Sequence, residues 1–388
     1  MKYRLQADSV AARFALGMIP SCGIIYANAT PLIVSALEQS AEFTAETAGF
    51  VFSANMYGTS LGGLLVITVV RVLPWRLSCI LLATCIACLD FASVWIEHPT
   101  MLAAVRFAHG LTGGAIMGFG SMVIARAGNA DRTFGIMIAI QMVIGGIMAA
   151  GLAPLISVYG VYPIWVCLIV FSLVCLSVLP FLSDYQAPRA TTKTLAKTST
   201  YRAPLAMVVL AGLALFAYQA GQMAAYTYIF EHGQTFGLSD SFMGWTSAAS
   251  LWIGVFAALG AAYWSTRYGY VLPALVGSLL TAGAIFLLIY PSAVAYLVAS
   301  MAFGICFCAT IPYLLSLITE MDNTGQLASI GAFVSSLGLA SGPFFAAVLL
   351  GLGADYVGIL TFAAIAIICS SLLAVSPGRY LETVDHNE

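Results

Sequence analysis

Apolar stretches of about twenty residues follow one another along almost the whole chain, and each is long enough to cross the hydrocarbon of a bilayer as a helix. Read from hydropathy, they cover 14–37, 48–70, 77–96, 101–124, 134–157, 162–182, 204–230, 242–265, 270–290, 294–318, 327–350 and 356–375. Inside lipid every backbone N–H and C=O must find a partner within the segment itself, which a helix provides. The expected fold class is therefore an all-α membrane protein with twelve transmembrane helices. Only 8% of the residues are charged and mean hydropathy is +0.98. A soluble domain of this size needs about a quarter of its residues charged to cover a wet surface. The net charge of -2 gives no sign of a nucleic-acid partner. The first apolar stretch lacks a small-residue cleavage site and reads as a retained helix.

Lysines and arginines set the orientation, because they concentrate in cytoplasmic loops. With the N-terminus inside, thirteen of the fourteen basic residues fall in inner segments, and the fourteenth, Arg106, falls within a span. Outer loops hold Glu38, Glu42, Glu46, Glu97, Glu231, Asp240 and Asp355 instead. The Glu97-His98 and Glu231-His232 pairs read as solvated residues of these outer loops. The reading is a multi-pass protein of the cell inner (cytoplasmic) membrane with both termini cytoplasmic. The longest polar stretch divides the chain into a six-helix bundle at 1–183, a cytoplasmic linker at 184–203, and a second six-helix bundle at 204–388. Two six-span halves joined by a basic inner loop suggest two parallel pseudo-repeats.

Several local patterns are in register with that map. Span two opens Thr44-Ala-Glu-Thr-Ala-Gly-Phe and continues to a Tyr57-Gly58 pair. Span four carries Arg106-Phe-Ala-His-Gly110-Leu-Thr-Gly-Gly114. Asp131-Arg132 leads into a Gly-rich fifth span with Gly145, Gly146, Gly151 and Pro154. Gly338 through Gly342-Pro343 sits in span eleven, and Arg267-Tyr-Gly269 between spans eight and nine. Over nearly its whole length the chain resembles the major facilitator superfamily, in particular its twelve-span drug/proton antiporter-like branch. The loop at 70–76 departs from the family pattern. Arg71 and Arg76 remain, but the acidic residue and glycine of the family's Asp-Arg-x-Gly core are absent. The resemblance implies a fold of two six-helix pseudo-repeats, a central cavity lined by the first helix of each half, and a monomer.

Ionisable or amide side chains inside a span are costly and need a reason. Asp90 and Arg106 each lie six or seven residues from the loop at 97–100. At a rise of ~1.5 Å per residue they share a depth of roughly 9–10 Å, so they can pair across adjacent helices. His109 lies on the same face as Arg106, nearly one turn deeper. Asp90, His109 and Arg106 are the candidate proton-coupling groups; a permanent interhelical clamp is the structural alternative. Gln219, Gln222 and Tyr226 recur on one face of span seven. With Asn28, Gln141, Arg106 and His109 they form the candidate substrate-binding set. Asn28 precedes Pro31 by three residues, and could face substrate or satisfy backbone groups the proline frees. Asn55, the Trp245/Trp252 face and Tyr313 are further candidates. Gly58/Gly62, Gly110/Gly114/Gly118 and Gly338/Gly342 have the spacing of close helix packing. The nine cysteines all fall in apolar stretches and read as small packing residues, including Cys85 and Cys88.

No phosphate-binding loop, HExxH or GxSxG is present, so neither a nucleotide engine nor an enzyme is expected, and no cofactor or metal is called for. The expected partners are a small-molecule substrate, protons and the lipid bilayer. The expected function is alternating-access, proton-coupled efflux of largely apolar or aromatic compounds. Proton-coupled uptake of a small organic acid at Arg106 and His109 is the close alternative, and a non-transporting membrane sensor the remote one.

Overall fold

Twelve helices long and apolar enough to span a bilayer occur among the described residues, and no strand does. The computed structural model describes residues 4–7, 9–70, 72–185, 203–264, 267, 269–322 and 326–385. The expected linker therefore lies outside the described residues except at 184, 185 and 203, as does Arg71. The helices are α1 (Val10–Asn28), α2 (Thr30–Glu38), α3 (Ala45–Val69), α4 (Trp75–Ser93), α5 (Pro99–Ala125), α6 (Ala130–Tyr159) and α7 (Tyr162–Val178) in the first half. The second half holds α8 (Leu205–Thr227), α9 (Ile229–Gln234), α10 (Asp240–Trp264), α11 (Val271–Leu288), α12 (Ala293–Thr319), α13 (Gln326–Gly351) and α14 (Tyr356–Asp385).

Local chemistry sets several helix starts. Thr44 and Thr47 form a reciprocal capping box at α3, each hydroxyl accepting from the other's backbone N–H at 3.2 and 2.9 Å. Pro99 opens α5 at a position whose N–H has no helical partner in any case.

Two of the expected single spans are broken. The stretch at 14–37 divides into α1 and α2 at Ala29. Pro31 has no N–H to offer the carbonyl of Ala27, and the Thr30 hydroxyl donates to that carbonyl instead, at 2.5 Å. The stretch at 204–230 divides at Tyr228, with no proline nearby, and the chain re-coils as α9. Glu231 and His232 lie on α9 and are buried, each 2% exposed. This corrects their reading as solvated loop residues: α9 packs against α2, α10 and α14, and Tyr296 of α12 donates to its Ile229 carbonyl at 3.2 Å. Glu97 and His98 are exposed as expected.

The halves repeat one packing scheme. In the first, α3 and α4 pack on α5, α1 packs on α5 and α6, and α4 packs on α7. In the second, α10 and α11 pack on α12, α8 packs on α12 and α13, and α11 packs on α14. The halves meet along α3 with α13 and α6 with α10. We call the end where α7 finishes and α8 begins the linker end, and the end carrying α2 and α9 the far end.

At the linker end, Arg76 donates to Asp184 at 2.8 Å and to the carbonyls of Leu182 and Ser183 at 2.6 and 3.1 Å. Arg4 also pairs with Asp184, and the two guanidiniums, Arg4 foremost, hold that carboxyl below its ordinary range. The loop at 70–76 is thus tied to the end of α7, within its own half.

Glycines bring α3 and α5 into backbone contact. A Cβ at Gly110 would run into the carbonyl oxygen of Asn55, and one at Gly58 into that of Phe107. Lipid supplies no hydrophobic drive between helices, so such backbone approach is a main source of their attraction. Gly110→Val should cost about 3 kcal/mol or more by overpacking, read as a lower melting temperature and loss of monodisperse elution. Gly135→Ala, where an added Cβ meets nothing within 4 Å, should leave both unchanged.

Candidate functional site

The candidate residues fall mainly into two groups of polar side chains, which the structure separates. The first is centred on Arg106, which has no solvent exposure. Its guanidinium donates to Asp90 Oδ1 at 2.8 Å, to the Leu89 carbonyl at 3.1 Å, and to the Ser93 hydroxyl. Its remaining faces are covered by rings: Trp165 at 4.5 Å and Tyr26 at 5.5 Å from ring centroid to guanidinium carbon. Tyr26 stacks in turn on Phe52 and Trp165, within 7° and 2° of parallel. Cation–π contacts of this kind compensate a desolvated guanidinium.

His109 joins the pair from one turn further along α5. Its Nε2 lies 3.2 Å from Asp90 Oδ1, and its Nδ1 lies 2.8 Å from Asn55 Nδ2. Asn55 Nδ2 also donates to the carbonyl of Arg106 at 3.0 Å, which fixes which way the amide faces. With the amide so turned, His109 Nδ1 accepts from Asn55 and Nε2–H donates to Asp90. Asp90 Oδ2 is buried and meets no hydrogen-bond partner among the described residues.

The second group lines a cavity of about 210 Å³ between the halves. Asn28, Gln141, Gln222 and Tyr226 are on its wall; Arg106, His109 and Gln219 are not. Gln219 sits about 10 Å nearer the linker end than Tyr226 on the same helix face, and donates to Ser335 at 2.6 Å. The Asn28 amide donates to the Gln141 carbonyl at 2.9 Å, and the Asn28 carbonyl accepts from Tyr226 at 3.2 Å. Asn28 therefore joins the halves as well as facing the cavity. Met56, Met142, Met223, Phe303 and Phe307 complete much of the wall, and among the described residues no carboxyl, guanidinium, ammonium or imidazole lines it. The Tyr226 and Phe303 rings are near-parallel, 13° apart, at 6.4 Å. Sequence reading missed the methionines and phenylalanines, because nothing in a helical repeat separates a cavity-facing apolar residue from a lipid-facing one.

Hydrogen bonds across the halves close the cavity toward the far end. Tyr228 donates to the Ala45 carbonyl at 3.0 Å, Gln234 to Ser35 at 3.3 Å, and Tyr356 to Glu38 at 2.9 Å. Glycine backbones let the walls approach there: a Cβ at Gly244 would sit 2.5 Å from the Ala149 carbonyl oxygen. A separate cavity of about 420 Å³ opens at the far end of the first half. Ser93 and Trp165, both touching Arg106, form part of its wall.

Breaking a buried ion pair from one side leaves the other charge uncompensated, at a cost of about 3–5 kcal/mol. Asp90→Asn should therefore lower the melting temperature of the purified protein sharply. The double variant Asp90→Asn/Arg106→Gln should recover a large part of the loss, and a double variant no more stable than the single one would show that the pair adds nothing.

Comparison with known proteins follows the same lines as this geometry. The family model described as "Uncharacterised MFS-type transporter YbfB" matches residues 24–376. No curated protein matches the chain in sequence. Among solved structures, the crystal structure of a D-xylose-proton symporter superposes with a TM-score of 0.68 at 15% identity, covering 93% of this chain and 96% of that one. The inward open conformation of the xylose transporter XylE from E. coli gives 0.70 at 14% identity, covering 93% and 94%. The nucleoside transporter NupG gives 0.70 at 12% identity, covering 94% and 98%.

Proposed function

The chain belongs to the MFS-type transporter family, and from that premise we propose that it exports a small, uncharged, largely apolar or aromatic solute in exchange for protons. It is a secondary transporter and not an enzyme. The observation that carries the substrate class is the cavity between the halves. Its wall offers amides at Asn28, Gln141 and Gln222, a phenol at Tyr226, and aromatic and thioether surface, without a charge to meet an ionic substrate. The organic-acid reading loses its anion site, since Arg106 is held by Asp90 inside the first half.

The linker end carries Arg76, Arg126 and Arg132 and is assigned to the cytoplasm of the inner membrane. The closed far end then makes this an inward-facing state, and the protein acts as a monomer. The coupling proton is assigned to Asp90 with His109. Both Arg106 and His109 engage Asp90 Oδ1, leaving Oδ2 free to take a proton. In this reading the proton approaches from the far side through the cavity walled in part by Ser93 and Trp165, which both touch Arg106. A second reading, proton-driven uptake of the same neutral solute, takes support from the D-xylose-proton symporter that shares the fold.

Liposomes loaded with a pH-sensitive dye test this under an imposed proton gradient. Addition of neutral aromatic compounds should trigger proton flux, and sugars or organic acids should not. The direction of solute movement relative to the gradient separates export from uptake. Tyr226→Ala should raise the apparent KM at least about fivefold, the loss of roughly 1 kcal/mol of contact. Asp90→Asn and His109→Gln should uncouple proton flux from solute movement; coupled flux persisting in both would remove the assignment.

A further inference from the structure

Glu231 is a buried carboxyl that transport through the central cavity does not use. It sits on α9 at the far end, 2% exposed, and among the described residues neither oxygen meets a hydrogen-bond partner on another residue. A carboxylate in such a place has lost its water and gained nothing in return, which is costly enough that the group takes a proton instead. Every neighbouring element adds to this. From α2 it feels Glu38 and from the start of α10 Asp240. Tyr296 of α12 and Tyr356 of α14 face it, and Glu46 of α3 lies near the adjoining Tyr228. On its own helix, His232 turns its ring away to the Leu288 carbonyl at 3.0 Å. No lysine or arginine lies in the segments 30–46, 228–240 or 352–356. Burial first, then Glu38 and Asp240, push the Glu231 carboxyl well above the ordinary carboxylate range.

The position matters as much as the burial. Tyr228 and Gln234, three residues to either side of Glu231, make the hydrogen bonds to Ala45 and Ser35 that shut the far end. Opening that end would break both contacts and wet α9. We propose that Glu231 is a proton-operated latch: it holds a proton while the far end is closed and releases it to the water on that side when the end opens. A proton that binds and leaves on one face is not carried across, so this site differs in kind from a coupling group. The proposal rests on family membership and on no assumption about substrate or coupling ion.

The sign follows from linkage. The closed form binds the proton more tightly than the open, solvated form, so acid favours closure and rising pH favours opening. Ser35 is buried against Gln234, whereas Ser40 is exposed at the same end. The test follows the labelling rate of Ser35→Cys by a membrane-impermeant maleimide in nanodiscs. The rate is divided by that of Ser40→Cys to remove the thiol's own pH dependence, and labelling of the parent's native cysteines is subtracted. No substrate is added, so the outcome is independent of the transport assay. Across roughly pH 5 to 8 the ratio should rise, by up to about tenfold per pH unit for one linked proton. Glu231→Gln should abolish the rise and hold the ratio low. A rise of the parental size and midpoint in Glu231→Gln overturns the latch, and so does a parental ratio that is flat. Should Glu231→Gln fail to elute as folded protein, Asp240→Asn decides. Removing that neighbouring charge should move the midpoint to lower pH, and an unmoved midpoint overturns the proposal.

Discussion

A guanidinium without water is the fixed point of the first half. Arg106 touches α4 through Asp90, Leu89 and Ser93, α7 through Trp165, and α1 through Tyr26, while its own carbonyl holds Asn55 of α3. Three helices are thereby oriented around α5 by one side chain, and a fourth by the same residue's backbone carbonyl. None of them can turn about its axis without leaving a charge or a donor unpaired in a low-dielectric interior, where that is most expensive. The glycine approach of α3 to α5 complements this: it sets their separation, and the network sets their rotation.

The second half reaches the same packing with neutral groups. Tyr218 of α8 meets Thr281 of α11 at 2.9 Å, and Ser250 of α10 donates to the Ser300 carbonyl of α12 at 2.7 Å. The two halves are thus alike in backbone and unlike in electrostatics. Titratable chemistry within the bilayer is concentrated in the first, and the second contributes aromatic and amide surface to the cavity through Tyr226, Phe303 and Gln222.

Much of this was legible in the sequence. The spans are legible because burial in lipid demands long apolar runs, and the meeting of Asp90 with Arg106 because two charges at one depth on adjacent antiparallel helices have little else to pair with. Pro31 marks the break between α1 and α2. The matching break at Tyr228 carries no such mark; the Tyr228 hydroxyl there reaches the Ala45 carbonyl in the other half, a long-range contact no local pattern announces. The repeat of Gln219, Gln222 and Tyr226 gives a direction but not a depth: Gln222 and Tyr226 line the cavity and Gln219 lies nearer the linker end. Arg106 and His109 lie off that cavity's wall, which the sequence does not show, because a helical repeat says which residues share a side, not which neighbour that side meets. Glu231 and His232 were placed in water because hydropathy ends a span at the first polar pair, whereas the chain makes another helical turn.

The far end is closed by two short pieces, α2 of nine residues and α9 of six, each joined to its long helix through a single non-helical residue. Both are short against the thickness of a membrane, and both are largely covered by protein. A rearrangement confined to them would displace little lipid and would work neither against the lateral pressure of the acyl chains nor against their viscosity. The resistance to such a movement would come from a handful of side-chain contacts, so its energetics would depend little on the thickness or fluidity of the surrounding bilayer.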